Sequence, residues 1–430
     1  MGTEPDTKAT GSRRVRFSLM TLILLVVFLS GGTGLWMSWA PWSIVWEKSA
    51  SIMFLSRCVR FSPDGTQVLT PIDDGIDDGK TGVWCARSGR EILCLSGHSY
   101  PVSEAEFFPD GRKIVTASGD GTARIWDALT GDQLAVLRGH KGTVEFAIPS
   151  PSGKTIVTGG QDGTARLWES EGQSPGQIIS RDRLEVFSAS YSPNGDQIAT
   201  AGSDRTVRVW NISDQRETCL RGHEGMVFSV AFSPDGEQVA SGGVDGTVRV
   251  WSLKSGRCVV GRNPHESVVT SVSFAKDGHT VLSASNDGTA RIWRIQDYSD
   301  CLVLDCQSVV SSASFSADSK RVVTVSSDRI IRIWDAISGK MIAALRKEDS
   351  DIRDVAVSPD GLRIASTGAA VRIWHRRRPE YWWGIAWLPE FWIVLLSGGG
   401  LLLIGIRNLR KRPRSPSPLP TPPQGKKRGV

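Results

Sequence analysis

The chain has 430 residues, of which 40% are hydrophobic and 22% charged, a composition that excludes a wholly disordered chain. Its formal net charge of +6 belongs to its ends: residues 407–430 contain eight Lys and Arg with no acid, whereas residues 47–374 carry a net charge of −5, which excludes nucleic acid as the expected partner. Seven cysteines with no CxxC pair argue against both a disulfide framework and a structural zinc cluster.

The N-terminal part predicts a basic tail over residues 1–16, followed by a transmembrane helix over residues 17–39. These 23 uncharged residues would form a helix of about 34 Å, enough to cross a bilayer core of about 30 Å. A cleaved signal peptide is the alternative, because the apolar run 19–29 has a suitable length. The absence of an A-x-A cleavage site favours an uncleaved anchor.

An internal repeat follows. Eight tryptophans recur at spacings of 40 to 42 residues, namely Trp84, Trp126, Trp168, Trp210, Trp251, Trp293, Trp334 and Trp374. A Pro/Asp/Gly turn recurs in phase with them, as in FSPDG at 61–65 and at 232–236. Alternating apolar residues flank each turn, which predicts short antiparallel strands. Eight copies predict eight structural units.

Six of the eight repeats also carry a polar set: an Asp six residues before the Trp, a hydroxyl four residues before that Asp and, in four of them, a His in the preceding linker. The four complete sets are His98, Thr116, Asp120 and Trp126; His140, Thr158, Asp162 and Trp168; His223, Ser241, Asp245 and Trp251; and His265, Ser283, Asp287 and Trp293. With these markers, residues 52–374 resemble the WD40 repeat family. The resemblance implies an all-β, eight-bladed β-propeller over residues 40–374, one blade more than the family's usual seven.

The resemblance also implies the roles of the polar set. The carboxylate accepts from the imidazole, the imidazole engages the hydroxyl, and the hydroxyl accepts from the indole N–H, so every buried polar group has a partner. Because the set recurs blade after blade, it is structural and is not a Ser/His/Asp catalytic triad. The linkers at 182–183, 306–307 and 346–347 lack the His, and the last repeat lacks its Asp turn at 368–370. Those blades are expected to depend more on apolar packing.

Residues just before the first repeat are predicted to close the ring. The last repeat ends at Trp374 without an outer strand, while Trp42, Ile44 and Trp46 alternate upstream of the first repeat. Residues 42–48 are therefore expected to form the outer strand of the last blade and to protect its edge.

Motifs that carry chemistry are few. The chain contains no HExxH or GxSxG motif and no dinucleotide fingerprint that opens a helix, so we expect no enzyme, no cofactor, no metal and no small-molecule substrate. An acidic insertion at 73–78, with Asp73, Asp74, Asp77 and Asp78, leaves two interpretations open. A solvated loop is favoured over a weak Ca²⁺ site.

In the family, the face that carries the linkers and tight turns commonly binds proteins or peptides, and we expect such a partner here. The residue after the first apolar position of each inner strand should lie at that face. These residues are Arg57, Ser103, Glu145, Phe187, Phe228, Thr270, Ser311 and Arg353. Phe187 and Phe228 follow each other in successive blades and are the best expected anchors. The alternative is that they pack on the linkers.

The C-terminal part predicts a juxtamembrane stretch over 375–386, a second transmembrane helix over 387–406 and a basic, Pro-rich, disordered tail over 407–430. Tryptophans cluster on the ring side of both spans, as an aromatic belt requires. The positive-inside rule places both termini in the cytoplasm and the ring across the membrane. Three arginines at 376–378 on the ring side keep a cytoplasmic ring as the alternative.

The function expected from these features is a membrane-tethered scaffold for protein–protein interactions. A sensor that signals through the tails and a propeller enzyme, either quinoprotein-like or a hydrolase, are the alternatives.

Overall fold

A computed structural model describes residues 42–49, 58–72, 79–172, 176–181, 185–262, 265–295, 301–346, 351–368 and 370–376. Both predicted membrane spans, both tails, most of the juxtamembrane stretch, Arg57 and the acidic insertion 73–78 lie outside these residues. In the described ranges, no helix is long and apolar enough to span a bilayer.

The described residues form eight antiparallel sheets of four strands each, the blades of a propeller. Blades 1 to 4 consist of β2 (Arg60–Phe61), β3 (Gln67–Ile72), β4 (Lys80–Cys85) and β5 (Glu91–Leu95); β6 (Val102–Phe107), β7 (Lys113–Ser118), β8 (Thr122–Asp127) and β9 (Gln133–Arg138); β10 (Val144–Pro149), β11 (Thr155–Gly160), β12 (Thr164–Glu169) and β13 (Gln177–Arg181); and β14 (Val186–Tyr191), β15 (Gln197–Gly202), β16 (Thr206–Asn211) and β17 (Glu217–Arg221).

Blades 5 to 8 consist of β18 (Val227–Phe232), β19 (Gln238–Gly243), β20 (Val248–Ser252) and β21 (Arg257–Arg262); β22 (Val269–Phe274), β23 (Thr280–Ser285), β24 (Thr289–Arg294) and β25 (Cys301–Asp305); β26 (Val310–Phe315), β27 (Arg321–Ser326), β28 (Ile330–Asp335) and β29 (Met341–Arg346); and β30 (Asp354–Val357), β31 (Arg363–Thr367), β32 (Ala370–Arg376) and β1 (Trp42–Ser49). The predicted all-β, eight-bladed propeller is confirmed.

The recurring Ser-Pro-Asp-Gly segment forms the turn between the first two strands of a blade. In blade 5, the Ser233 hydroxyl donates to the Asp235 carboxylate at 2.5 Å and accepts the N–H of Gln238 at 2.9 Å. Gly236 follows with a φ of +74°, a conformation that costs glycine little. In blade 7, Ser319 adopts the same conformation, with a φ of +54°, where the other blades have glycine.

The core consists of apolar layers between neighbouring blades. Leu69 and Leu95 of blade 1, for example, share one buried cluster with Ile114 and Trp126 of blade 2. Another cluster joins blade 8 to blade 1 and contains Val59, Val68, Ala86, Ala365 and Ile373. Because the last blade packs on the first in this way, the ring is closed.

Strand β1 occupies the outer position of blade 8, which the last repeat itself leaves vacant. It pairs antiparallel with β32, with Trp42 opposite Arg376 and Ser49 opposite Ala370. The described chain therefore enters at Trp42 and leaves at Arg376 from one point of the ring.

Two faces of the ring are distinguished below. The linker face carries the linkers between blades and the turns between the second and third strands. The exit face carries the turns between the first and second strands and between the third and fourth strands. Trp42 and Arg376 lie at the exit face, because the third strand of a blade ends where its first strand ends.

Candidate interaction site

The four predicted polar sets are assembled in blades 2, 3, 5 and 6. In blade 2, the Trp126 indole N–H donates to the Thr116 hydroxyl at 2.9 Å, which lies 2.7 Å from His98 Nε2. His98 Nδ1 lies 2.8 Å from the Asp120 carboxylate. Since a carboxylate only accepts, Nδ1 carries the hydrogen and Nε2 accepts from the hydroxyl.

The other three sets have the same geometry. The distances from His to Asp, from His to the hydroxyl and from Trp to the hydroxyl are 3.0, 2.8 and 2.8 Å for His140, Asp162, Thr158 and Trp168. They are 2.9, 2.8 and 2.8 Å for His223, Asp245, Ser241 and Trp251. They are 2.8, 2.8 and 3.0 Å for His265, Asp287, Ser283 and Trp293.

In the sets of His98, His140 and His265, burial lowers the pKa of the imidazole and favours its neutral form beside the carboxylate. Burial lowers the pKa of His98, and the hydrogen bond that its Nδ1–H donates to Asp120 opposes this shift only in part. Burial alone would raise the pKa of Asp162, but hydrogen bonds from Lys141, Thr164 and His140 outweigh it and lower that pKa to about 2. A set whose polar atoms are committed to one another in this way holds strands together.

Blades 4 and 7 lack the histidine, and in both an arginine forms a close ion pair with the Asp of the turn. In blade 7, Arg332 Nη2 lies 2.5 Å from the Asp328 carboxylate, and its Nη1 donates to Ser326 at 2.8 Å. In blade 4, Arg208 forms the equivalent ion pair with Asp204. The expectation that these blades depend more on apolar packing therefore overlooked an ion pair. The sequence did not single out these two blades, because an arginine stands two residues before the tryptophan in every blade from 2 to 8.

The predicted partner-binding positions share a backbone feature. Six of them are the extra residue of a β-bulge in the innermost strand, at Ser103, Glu145, Phe187, Phe228, Thr270 and Ser311. A bulge re-aims its side chain relative to the regular strand. Arg353 directly precedes β30 and is exposed, and Arg57 lies outside the described residues.

These bulge residues differ in their contacts. The Glu145 carboxylate accepts from Gln161 Nε2 at 3.0 Å, across the bulge to the following turn. The Thr270 hydroxyl donates to the Val310 carbonyl of the next blade at 3.0 Å, which makes it an inter-blade contact. Polar positions of the set are thus partly engaged within the ring.

Phe187 and Phe228 form a contact between blades 4 and 5. Their ring centroids lie 4.8 Å apart at an interplanar angle of 57°, and both side chains are half-buried. Exposed Met226 and Val244 lie beside them in blade 5, where the Val244 N–H donates to the Met226 carbonyl at 2.8 Å. We refer to these four side chains as the aromatic patch. It is preformed and presents apolar surface on the linker face.

A charged cluster in the central channel was not predicted from the sequence. Arg60 of blade 1 donates to Asp354 of blade 8 at 2.6 Å and to Glu104 of blade 2 at 3.0 Å. Burial raises the pKa of the neighbouring Glu106 to about 7, although Arg60 opposes the shift. Burial also raises the pKa of the Cys58 thiol to about 12, so this thiol is a poor nucleophile at neutral pH.

The channel cluster borders a cavity of about 550 Å³ toward the exit face. Its walls include Arg60, Glu106, Ser312, Ser314 and Asp354, with prolines at its rim. In the part of the chain that the structure describes, no three His, Cys, Asp or Glu side chains are grouped to hold a metal ion. The cluster's evident contribution is to link the first blade to both of its neighbours.

The closed ring of four-stranded blades, with its recurring Trp–hydroxyl–His–Asp set, defines a β-propeller of the repeat type. The profile of the family described as WD domain, G-beta repeat, matches residues 89–127, 131–169, 176–211, 214–252, 256–294 and 300–335, more than half of the chain. The chain therefore belongs to the WD40 repeat family, as the sequence predicted. The first matched segment comprises the outer strand of blade 1 and three strands of blade 2. Each matched segment contains the outer strand of one blade and the first three strands of the next. The last repeat therefore leaves blade 8 without an outer strand, and β1 supplies it.

Among solved structures, the chain is similar to the computationally designed Ika8 protein, with 25% sequence identity and a TM-score of 0.66. The similarity covers 76% of this chain and 97% of that one. The search of curated proteins found no match to this chain.

Proposed function

We propose that the chain is a membrane-tethered WD40 propeller that acts as a scaffold for protein interactions, without catalysis of its own. WD40 propellers are typically interaction scaffolds, and the family is established here. The observation that carries the proposal is the Phe187–Phe228 contact, which holds two aromatic rings in place at the linker face.

The aromatic patch suits a protein or peptide partner. Aromatic side chains that are already fixed lose little conformational freedom on binding, and such residues commonly dominate interface energetics. Because each phenylalanine is half-buried and packed on the other, its position does not depend on the partner. A partner's apolar side chain placed against the patch would exclude water from both rings.

The tether rests on the sequence and on where the described chain begins and ends. An uncharged segment at 17–39 and an apolar segment at 387–406, which contains one charged residue, Glu390, flank the ring. Trp42 and Arg376 are paired neighbours, so two spans would reach the ring at one point. Both termini are proposed to be cytoplasmic and the ring extracytoplasmic; a cytoplasmic ring is the alternative.

Two parallel proximity-labelling experiments test the proposal, one with the labelling enzyme fused to a terminus and one with it inserted at exposed Tyr100, in the linker between blades 1 and 2 on the linker face. The proteins labelled by the enzyme on the ring should be extracytoplasmic, and repeated experiments should recover the same proteins. If the ring labels cytosolic proteins, the proposed topology is reversed. If it labels no protein reproducibly, the scaffold proposal fails.

A matched pair of variants then tests the site. Phe187→Ala combined with Phe228→Ala should reduce recovery of ring-labelled partners at least tenfold. The control Leu134→Ala removes an exposed apolar side chain from the outer strand β9 and should leave recovery unchanged. Equal recovery from both variants would place the partner elsewhere on the ring.

A further inference from the structure

We propose that the exit face of the ring lies against the lipid surface, with Leu129 and Ile337 in contact with the bilayer and the linker face directed away from it. This inference rests on the proposed membrane tether and adds an orientation to it. It commits the exit face to phospholipid and leaves the aromatic patch free for a protein partner.

The first argument is the length of chain between the predicted span and the ring. The span ends at residue 39 and β1 begins at Trp42. Three residues reach about 10 Å even when fully extended. The start of β1 must therefore lie within that distance of the end of the span. Since Arg376 is paired with Trp42, the second link to the membrane leaves from the same point of the exit face.

The second argument comes from one position in the turn between the third and fourth strands. Leu129 in blade 2 is 86% exposed and Ile337 in blade 7 is 71% exposed, the two highest values among the exposed large hydrophobic side chains of the described residues. Blade 7 precedes blade 8, where the chain enters and leaves, and blade 2 follows it by two blades. The two apolar tips therefore lie on either side of the attachment point.

The same turn position holds other residues in the four further blades where the structure describes it. Arg87 occupies it in blade 1, between the two apolar tips, and its guanidinium can bind lipid phosphate. In blades 3, 4 and 5 it holds Glu171, Ser213 and Lys254, all exposed. Apolar residues at this position thus occur in blades 7 and 2, on either side of the attachment point, with Arg87 between them, and polar residues occur in blades 3, 4 and 5.

The turns themselves do not need these apolar side chains. The Leu129 N–H donates to the Asp127 carboxylate at 2.8 Å, and the Ile337 N–H donates to the Asp335 carboxylate at 3.2 Å. Gly131 and Gly339, with φ of +79° and +67°, supply the left-handed residue of each turn. Backbone hydrogen bonds and glycine fix the turn, so the exposed side chain is available for contact with lipid.

Fluorescence quenching by lipid tests the orientation. The full chain is reconstituted into vesicles of phosphatidylcholine and phosphatidylglycerol, with an environment-sensitive fluorescent amino acid replacing Leu129, Ile337, Ser213 or Val309, one at a time. Ser213 is the matched turn position in blade 4, and Val309 is exposed on the linker face. Lipid carrying a quencher near the headgroup should quench positions 129 and 337 several-fold more than positions 213 and 309.

The outcomes separate the orientation from the tether. Flotation of the vesicles and resistance to alkaline extraction report the tether independently of the label. If the chain floats with the vesicles but position 129 or 337 is quenched no more than position 213, the orientation is wrong and the tether stands. If the chain does not float, both the tether and the orientation are overturned.

Discussion

The guanidinium of Arg372 lies 2.8 Å from the carboxylate of Glu47, so β32, the third strand of blade 8, is bound to β1, the first strand of the described chain. The Arg372 side chain is 1% exposed and that of Glu47 is 31% exposed. A fully buried guanidinium in blade 8 thus depends on β1, which comes from the opposite end of the ring sequence.

We expect Glu47→Ala to lower the free energy of unfolding by about 2 kcal/mol, because it leaves a buried positive charge without this carboxylate. This expected loss lies at the low end of the range for buried ion pairs, because the Glu47 side chain is partly exposed to water. Urea denaturation followed by tryptophan fluorescence measures the change. The control Glu237→Ala, at an exposed turn of blade 5, should change stability by less than about 0.5 kcal/mol. Equal effects of the two variants would show that the ion pair does not secure β1.

The hydroxyl of each polar set offers a second test. Thr116→Val preserves shape but removes the acceptor of the Trp126 N–H and the partner of His98 Nε2. Two buried polar groups lose a partner, and we expect a loss of about 3 kcal/mol. In blade 7, the Thr324 hydroxyl accepts from Trp334 at 2.9 Å and lies 3.4 Å from the Cys306 thiol, which occupies the place of the histidine. Because a thiol is a weak partner, Thr324→Val should cost only about 1 to 2 kcal/mol. Urea denaturation measures both losses. A larger loss for Thr324→Val than for Thr116→Val would contradict the role of the imidazole as a strong partner of the hydroxyl.

The polar sets also make stability depend on pH. Burial lowers the folded-state pKa of His140, so below the unfolded value of about 6.5 the unfolded chain binds the proton more readily. The contribution of His140 to the free energy of unfolding is therefore complete above about pH 6.5, and it is lost as the pH falls below that value. Asp162, whose folded pKa is about 2, adds a second loss as the pH falls from about 4 toward that value.

His140→Gln should therefore flatten the dependence of stability on pH between neutrality and mild acid. Urea midpoints of the variant and the wild type, measured across this interval, give the two slopes. The control is Lys141→Gln, because Lys141 contacts Asp162 only through its backbone N–H. An unchanged slope in His140→Gln would mean that another group binds the proton.

Features that recur from blade to blade could be predicted from the sequence, and single contacts between residues far apart in the sequence could not. Asp120, Thr116 and Trp126 stand at fixed spacings that recur in other repeats, so the blade count follows from periodicity, and the resemblance to the WD40 family implied the contacts of the polar set. The Arg60–Asp354 contact joins residues 294 positions apart and occurs once, so no period indicates it.

The contact between Phe187 and Phe228 is an intermediate case. Their positions in the repeat placed both residues at the same point of neighbouring blades. Their 4.8 Å separation depends on the inter-blade distance and on the bulges, which the sequence does not specify.

The channel carboxylates provide a prediction with the opposite dependence on pH. Burial raises the folded-state pKa of Glu106 to about 7, whereas the unfolded value is about 4.3. The folded chain then keeps the proton longer, so the contribution of Glu106 is complete below about pH 4.3 and is lost as the pH rises through about 7. Glu106→Gln removes this loss and should stabilise the ring by about 1 to 2 kcal/mol at pH near 8, with little effect near pH 4. Urea midpoints at both pH values measure the difference.

The adjacent control Glu104→Gln removes a carboxylate that accepts from Arg60 at 3.0 Å, so it should destabilise the ring at pH near 8. If Glu106→Gln destabilises the ring as well, Glu106 is a required partner of Arg60 and its carboxyl is ionised in the folded channel.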